Sequence, residues 1–192
     1  MSDDPCLREE IHLLLDLRAV RDYAPDPVPQ AALDDIYQVA RWTGSAENRQ
    51  PWDLIVVRDR AMLDRLGAFP GYADHLGTAP IGIVLVMDGS NEEYAAHDEG
   101  RLCERIMLAA AAHGLGSCIG WWNGEGREQA RALLGAPPGS IVGAILPIGY
   151  PATGHRPMHE ELLSGRKEPA RKPIADFIRL ERYDGERAAD GG

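Results

Sequence analysis

The stretch PIGIVLVMD, residues 80–88, limits most strongly what this chain can become. Between Ile81 and Met87 only Gly82 lacks a large apolar side chain. Successive strand residues face opposite sides of a sheet, so a strand apolar on both sides has to be covered on both. That requirement calls for helices above and below a central sheet.

The remaining chain supplies material for such a plan. Residues 7–17, LREEIHLLLDL, place Leu7, Ile11, Leu14 and Leu15 at helical spacing, and residues 30–42 do the same with Leu33, Ile36, Tyr37 and Ala40. RAVRDYAPDPVP lies between them and breaks the pattern with three prolines. DLIVVRD reads as a short strand of branched residues, and RAMLDRLG as a short helix ending at Gly67. Residues 92–113 form the longest helical pattern and close in LAAAAHG, whose small side chains let another element approach. REQARALLG is a further helix, and SIVGAILPIGYP a third strand ended by Gly149 and Pro151. Residues 152–172 read as an extended loop, KPIADFIRLERY as a terminal helix or docking arm, and DGERAADGG as a frayed tail. Three or more strands with long helices between them predict an α/β or α+β plan. No break suggests a second domain, so a single domain over 1–192 is expected, with its core at about 7–183.

Charge excludes some partners. With 30 acidic against 20 basic residues, the formal net charge is −10, which repels nucleic acid and anionic membranes. No apolar stretch reaches the ~18 residues of a membrane span. The cysteines, Cys6, Cys103 and Cys118, form no CxxC pair, so a disulfide framework is not expected and a reducing compartment fits. MSDDPCLREE is acidic and lacks the apolar segment of a secretory signal, so the expected location is the cytoplasm.

Several motifs carry chemistry. GSAENRQPW, 44–52, crowds Ser45, Asn48 and Gln50 into a loop that feeds an apolar strand. HGLGSCIGW, 113–121, is glycine-rich, but its spacing is GxGxxxG and it follows a helix, so it fails the dinucleotide-binding pattern. It reads either as a helix cap with a turn or as a strip where Gly116 and Gly120 let backbone amides meet a flat ligand. LRAVRDY offers Arg18 and Arg21, two planar donor groups suited to a phosphate if they converge and otherwise ordinary surface cations. A second basic knot holds Arg166, Lys167, Arg171 and Lys172. Cys118 has no evident base to activate it. His155 and His159 have a spacing that suits a metal on a helix, but Pro157 between them breaks that helix, so no metal site is expected.

Taken in order, RAVRDY, GSAENRQPW, AAHGLGSCIGW, ILPIGYP and RKP resemble the motifs of the FMN-dependent nitroreductase family, over about residues 14–180. The resemblance implies an α+β fold of three layers, with a mainly antiparallel central sheet flanked by helices. It also implies a homodimer with an exchanged C-terminal arm and FMN at the interface. Arg18, Ala19, Val20 and Arg21 would then hold the phosphate and ribityl groups, and Arg171 with Lys172 would close on the phosphate. Ser45, Ala46, Asn48 and Gln50 would reach the partner's flavin, with Gln50 foremost. Cys118, Ile119 and Gly120 would run along the ring system. The implied activity takes hydride from NADH or NADPH onto flavin N5 and passes electrons to a nitro compound, quinone or enone by a ping-pong scheme, with no catalytic side chain. Leu17, Ala19 and Ala46 stand where family members often carry arginine or serine, and Glu104 and Arg105 stand where asparagine is common. The same motifs would also serve reductive dehalogenation, oxygen-dependent flavin chemistry, or a flavin- or nucleotide-binding dimer without turnover.

Overall fold

The expected doubly covered strand is the centre of the molecule. In the computed structural model, which describes residues 9–152 and 174–184, every residue of β3 (Ile81–Met87) is buried. Its side chains alternate between two cores: Ile81, Ile83, Leu85 and Met87 enter one, Val84 and Val86 the other. The first core also takes Leu33 and Ile36 of α2 (Gln30–Arg41) and Leu102 and Ile106 of α4 (Glu92–Ala112). The second takes Leu63 and Leu66 of α3 (Arg60–Gly67) and Ala130 of α5 (Gly124–Leu134). A helical α1 (Glu9–Asp16) packs near α4.

Six strands form the sheet. β1 (Trp52–Val57) pairs with β3, and β3 pairs with β6 (Ile141–Gly149). β6 then pairs with both β4 (Gly116–Ser117) and β5 (Gly120–Trp122), and β5 pairs with β2 (Gly71–Tyr72). Every one of these pairings is antiparallel, in keeping with the implied fold. Among the described residues β1 has one partner, so its outer edge is open.

Local signals place the helix starts. Asn91 accepts from the Tyr94 N–H at 3.0 Å, and Glu92 and Glu93 follow in the first turn, where the helix dipole favours acid. Asp59 caps α3 through Met62, and Asn123 caps α5 through Gly126. The Asn123 cap starts α5 at Gly124, ahead of the REQARALLG pattern, because two glycines at its start hide the periodicity. β2 escaped the sequence reading because two residues carry no periodic signal.

The chain divides into two units, Met1–His155 and Arg156–Gly192. In the second, the expected terminal helix shortens to four residues, Ile174–Phe177 (α6). Glu181 adopts a left-handed φ of 61°, which no helix can continue through. Phe177, Leu180 and Tyr183 are exposed. Arg166, Lys167, Arg171 and Lys172, His155 and His159, most of the 152–172 loop and the tail after Asp184 lie outside the described residues. No helix among the described residues is long and apolar enough to cross a membrane.

The β3–β6 register shifts between Val84 and Val86, so Leu85 faces both Gly143 and Ala144. Such a bulge removes a backbone group from the ladder. Glu99 of α4 answers it: the Ala144 N–H donates toward its carboxylate, which is mostly buried. Burial raises the Glu99 pKa, opposed by that N–H and by Arg127. A carboxyl raised in the folded state binds its proton more tightly than in the unfolded chain, so its contribution to stability falls as pH rises. The stability of wild type relative to Glu99→Gln should therefore decline from the ordinary glutamate pKa upward and level off above the raised one. Urea unfolding of both proteins across pH 4–8 checks this, and parallel curves would refute it.

Candidate functional site

The segment after α1 builds the first half of the site. It joins the sheet: Ala19 bridges Ser117, and the Val20 N–H donates to the Ser117 carbonyl at 2.9 Å. Further along, Tyr23 bridges Pro151, the Ala24 N–H donates to Tyr150, and the Ala152 N–H donates to Asp22. Val20, Tyr23 and Ala79 form a small buried cluster, and the Tyr23 hydroxyl donates to the Val20 carbonyl. Gly116 has to be glycine here, because a Cβ would lie 2.5 Å from the Val20 side chain. The arginine motif and the glycine-rich strip, nearly one hundred positions apart in sequence, are thus laced together.

The two arginines do different things. Arg18 folds back and donates to the carbonyls of Leu15 and Leu17, where it satisfies the exposed end of α1. Arg21 runs over the Tyr72 ring, 5.7 Å from its centroid, and its Nε is buried without an acceptor. Ser117 Oγ is likewise buried and unbonded. A buried donor without a partner costs about 1–3 kcal/mol, so these atoms depart from the usual pairing.

The strip itself presents Cys118 and Gly120 inward and Ile119 and Trp121 outward, the last two 42% and 50% exposed. Burial pushes the Cys118 thiol up to about 11, so it is a protonated, inert filler 3.9 Å from the Tyr23 hydroxyl. Trp121 stands beside Tyr72 across β2–β5, with ring centroids 6.4 Å apart. Ser117, Tyr72 and Trp121 were not singled out from the sequence. No spacing rule joins them, because two-residue β2 brings Tyr72 to the strip.

The polar loop is the second half. Glu47, Asn48 and Gln50 all adopt left-handed φ angles of 55°, 55° and 49°. For residues with a Cβ each such conformation costs roughly 1–2 kcal/mol. The loop is held by its own groups. Ser45 Oγ accepts the Gln50 N–H at 2.8 Å, and Gln50 Nε2 donates to the Asn48 carbonyl at 3.2 Å. Asn48 and Gln50 are both exposed. From α4, Arg101 donates to the Gly44 carbonyl and Arg105 donates to the Trp42 carbonyl at 3.3 Å. Arg105, which departs from the family pattern, is therefore a strap on this loop.

The two halves do not meet within one chain. The Trp52 N–H donates to Gln50, and Trp52 pairs with Met87 at one end of β3. Ser117 pairs with Ile148, which faces Ile81 at the other end. Along the strand direction Ser117 and the loop are therefore ~20 Å apart at ~3.4 Å per residue, whereas Gly120, opposite Ile145 and so Val84, is displaced from the loop mainly sideways, across β6 and β3. Among the described residues no cluster of His, Cys, Asp or Glu is fit to hold a metal.

The family model described as "Nitroreductase family" matches residues 16–70 and 68–150. A Methanothermobacter thermautotrophicus protein named "Putative NADH dehydrogenase/NAD(P)H nitroreductase" is 34% identical over 143 residues, covering 70% of this chain and 73% of its own. An NADH dehydrogenase of Thermus thermophilus is 30% identical over 179 residues, covering 74% and 86% respectively. A Desulfovibrio desulfuricans structure solved in complex with FMN superposes with a TM-score of 0.66 at 27% identity, covering 85% of this chain and 99% of that one.

Removal of the Arg101 clamp should loosen the strained loop. Arg101→Ala is expected to speed hydrogen exchange at the Gln50 and Trp52 amides about fivefold, for a loss of ~1 kcal/mol at an exposed charged hydrogen bond. Mass-spectrometric exchange reads this directly, and unchanged protection of both amides would show that the loop holds itself.

Proposed function

The chain belongs to the nitroreductase family, and from that premise we propose that it is a homodimeric FMN-dependent oxidoreductase. Its donor is NADH or NADPH, and its acceptor a small organic molecule such as a nitro compound, quinone or enone. Bound FMN would supply the hydride-accepting centre and the electrons passed to the acceptor.

The residues present fit such a group. A flavin needs a cation near its polar edge, hydrogen-bond donors along its heteroatoms and apolar cover on its rings. Arg21 Nε and Ser117 Oγ are buried groups with unused bonding capacity, and they flank one strip. Residues 118–120 line that strip, and Ile119 and Trp121 offer apolar surface beside it. Arg171 and Lys172, outside the described residues, are proposed to neutralise the phosphate. Arg18, already bonded to Leu15 and Leu17, supports the segment as well as the charge.

The observation that carries the reading is the separation of the two halves. Ser117 sits at the Ile81 end of the sheet and the strip continues to Gly120 and Trp121 on the far side of β6, whereas the Asn48–Gln50 loop sits at the Met87 end, where it leads into β1 on the other side of β3. One copy does not bring both to a single ring system, whereas a second copy can present its own loop to the first copy's strip. The exposed Phe177, Leu180 and Tyr183 would give an exchanged arm an apolar face to bury. Cys103 and Cys118 are free and buried, in keeping with a reducing, cytoplasmic setting. No side chain is assigned a proton or a nucleophile. The chain's work is to bind the flavin, exclude water from one face and leave the other open, so donor and acceptor share it in turn.

Purified protein titrated with FMN should bind it as a dimer and, once loaded, lose its visible flavin absorbance on addition of NADH or NADPH. Failure to bind FMN at high concentration would end this reading. Arg21→Ala should weaken FMN binding by ~1.5–3 kcal/mol, the range for a hydrogen bond from a charged donor. Equal affinity by fluorescence titration would remove Arg21 from the site.

A further inference from the structure

His75 sits behind the strip and has no evident reason to be a histidine. It lies on the short turn Asp74–Gly77, with its side chain 3% exposed. Both ring nitrogens are buried without a hydrogen-bond partner, and Nδ1 stands 3.6 Å from the Asp74 carboxylate, too far to bond. Arg60 holds the turn by donating to the Leu76 carbonyl at 2.7 Å and the Ala79 carbonyl at 2.9 Å. If packing were the whole purpose, phenylalanine would fill the space without two unbonded polar atoms, and replacing unsatisfied groups by apolar ones is neutral or stabilising.

The ring's neighbours indicate a different purpose. A Cβ on Gly120 would lie 3.0 Å from His75 Nε2, so the imidazole packs directly beneath the backbone of the strip. Its ring centroid is 5.4 Å from that of Tyr72, and Tyr72 in turn carries the Arg21 guanidinium. One side chain therefore touches both the backbone strip and the support of the half-buried Arg21. Burial and the nearby Arg21 push the imidazole pKa down, against the pull of Asp74, which keeps the ring an uncharged dipole near neutral pH and spares Arg21 a second positive charge.

We propose that His75 is a positioning residue for the cofactor, its polar ring holding the Gly120 backbone and, through Tyr72, the Arg21 guanidinium in the geometry that binds FMN. The role acts through neighbours and rests on the reading of this site as an FMN site. It is retained at a cost in stability, because its nitrogens stay unsatisfied in the free protein.

Two variants separate polarity from packing. His75→Phe keeps a ring and loses both nitrogens, whereas His75→Gln keeps an amide nitrogen near the Nε2 position. The cofactor-free His75→Phe protein should melt at the same temperature as wild type or higher. Its FMN dissociation constant should rise roughly tenfold, with a displaced absorbance maximum of the bound flavin, as the polar support beneath the strip is lost. His75→Gln should recover wild-type affinity to within about threefold. Equal FMN affinity and an unshifted spectrum in His75→Phe would overturn the proposal, as would equal weakening in both variants or a His75→Phe protein that unfolds more easily. Wild-type protein that binds no FMN would instead sink the reading on which the proposal rests.

Discussion

Burial of β3 on both faces is the constraint on which the rest of this structure depends. A strand with no exposed side must have a strand on each edge and a helix layer on each face. β1 and β6 take the edges, α2 with α4 covers one face, and α3 with α5 covers the other. Because β6 is nine residues long, it outruns β3's other neighbours and offers its far edge to β4 and β5 in turn. The candidate site grows at that change of partner. Between β4 and β5 the backbone leaves the ladder for Cys118 and Ile119, the residues at the middle of the strip.

Around this junction the polar groups are unevenly satisfied. Most of the molecule follows the rule that buried donors and acceptors are paired. Arg21, His75 and Ser117 depart from it together, at the place where the arginine motif, the strip and β2 converge. Glu99 also keeps one buried unbonded oxygen, but its carboxylate answers the β6 bulge and faces Arg127, so a structural account suffices there. The polar loop pays for its readiness differently, with three strained residues held by Ser45, Arg101 and Arg105.

Much of the fold was legible in the chain. The apolar run 80–88, the helical patterns at 30–42 and 92–113, and the strand before Gly149 each carry a local cause in side-chain periodicity or capping, and each appears within a few residues of its expected bounds. The family resemblance came from motif order. Less legible were β2, too short to show a period, and the start of α5, where glycines mask it. The pattern KPIADFIRLERY, read as a terminal helix or docking arm, forms a helix only over Ile174–Phe177, and the left-handed Glu181 further on bars a longer one.

What the sequence determined by itself was the set of layers and the inventory of candidate binding groups, since both follow from neighbours a few positions apart. Only the tertiary structure decided how that inventory is used. It turned Arg18 back on α1 and left Arg21 over Tyr72, spent Ser45 on its own loop, made Arg105 a strap, and set His75 beneath Gly120. The physical reason is that these contacts join residues tens of positions apart. Their partners are selected by strand register and by which surfaces close-pack, and no local propensity encodes either.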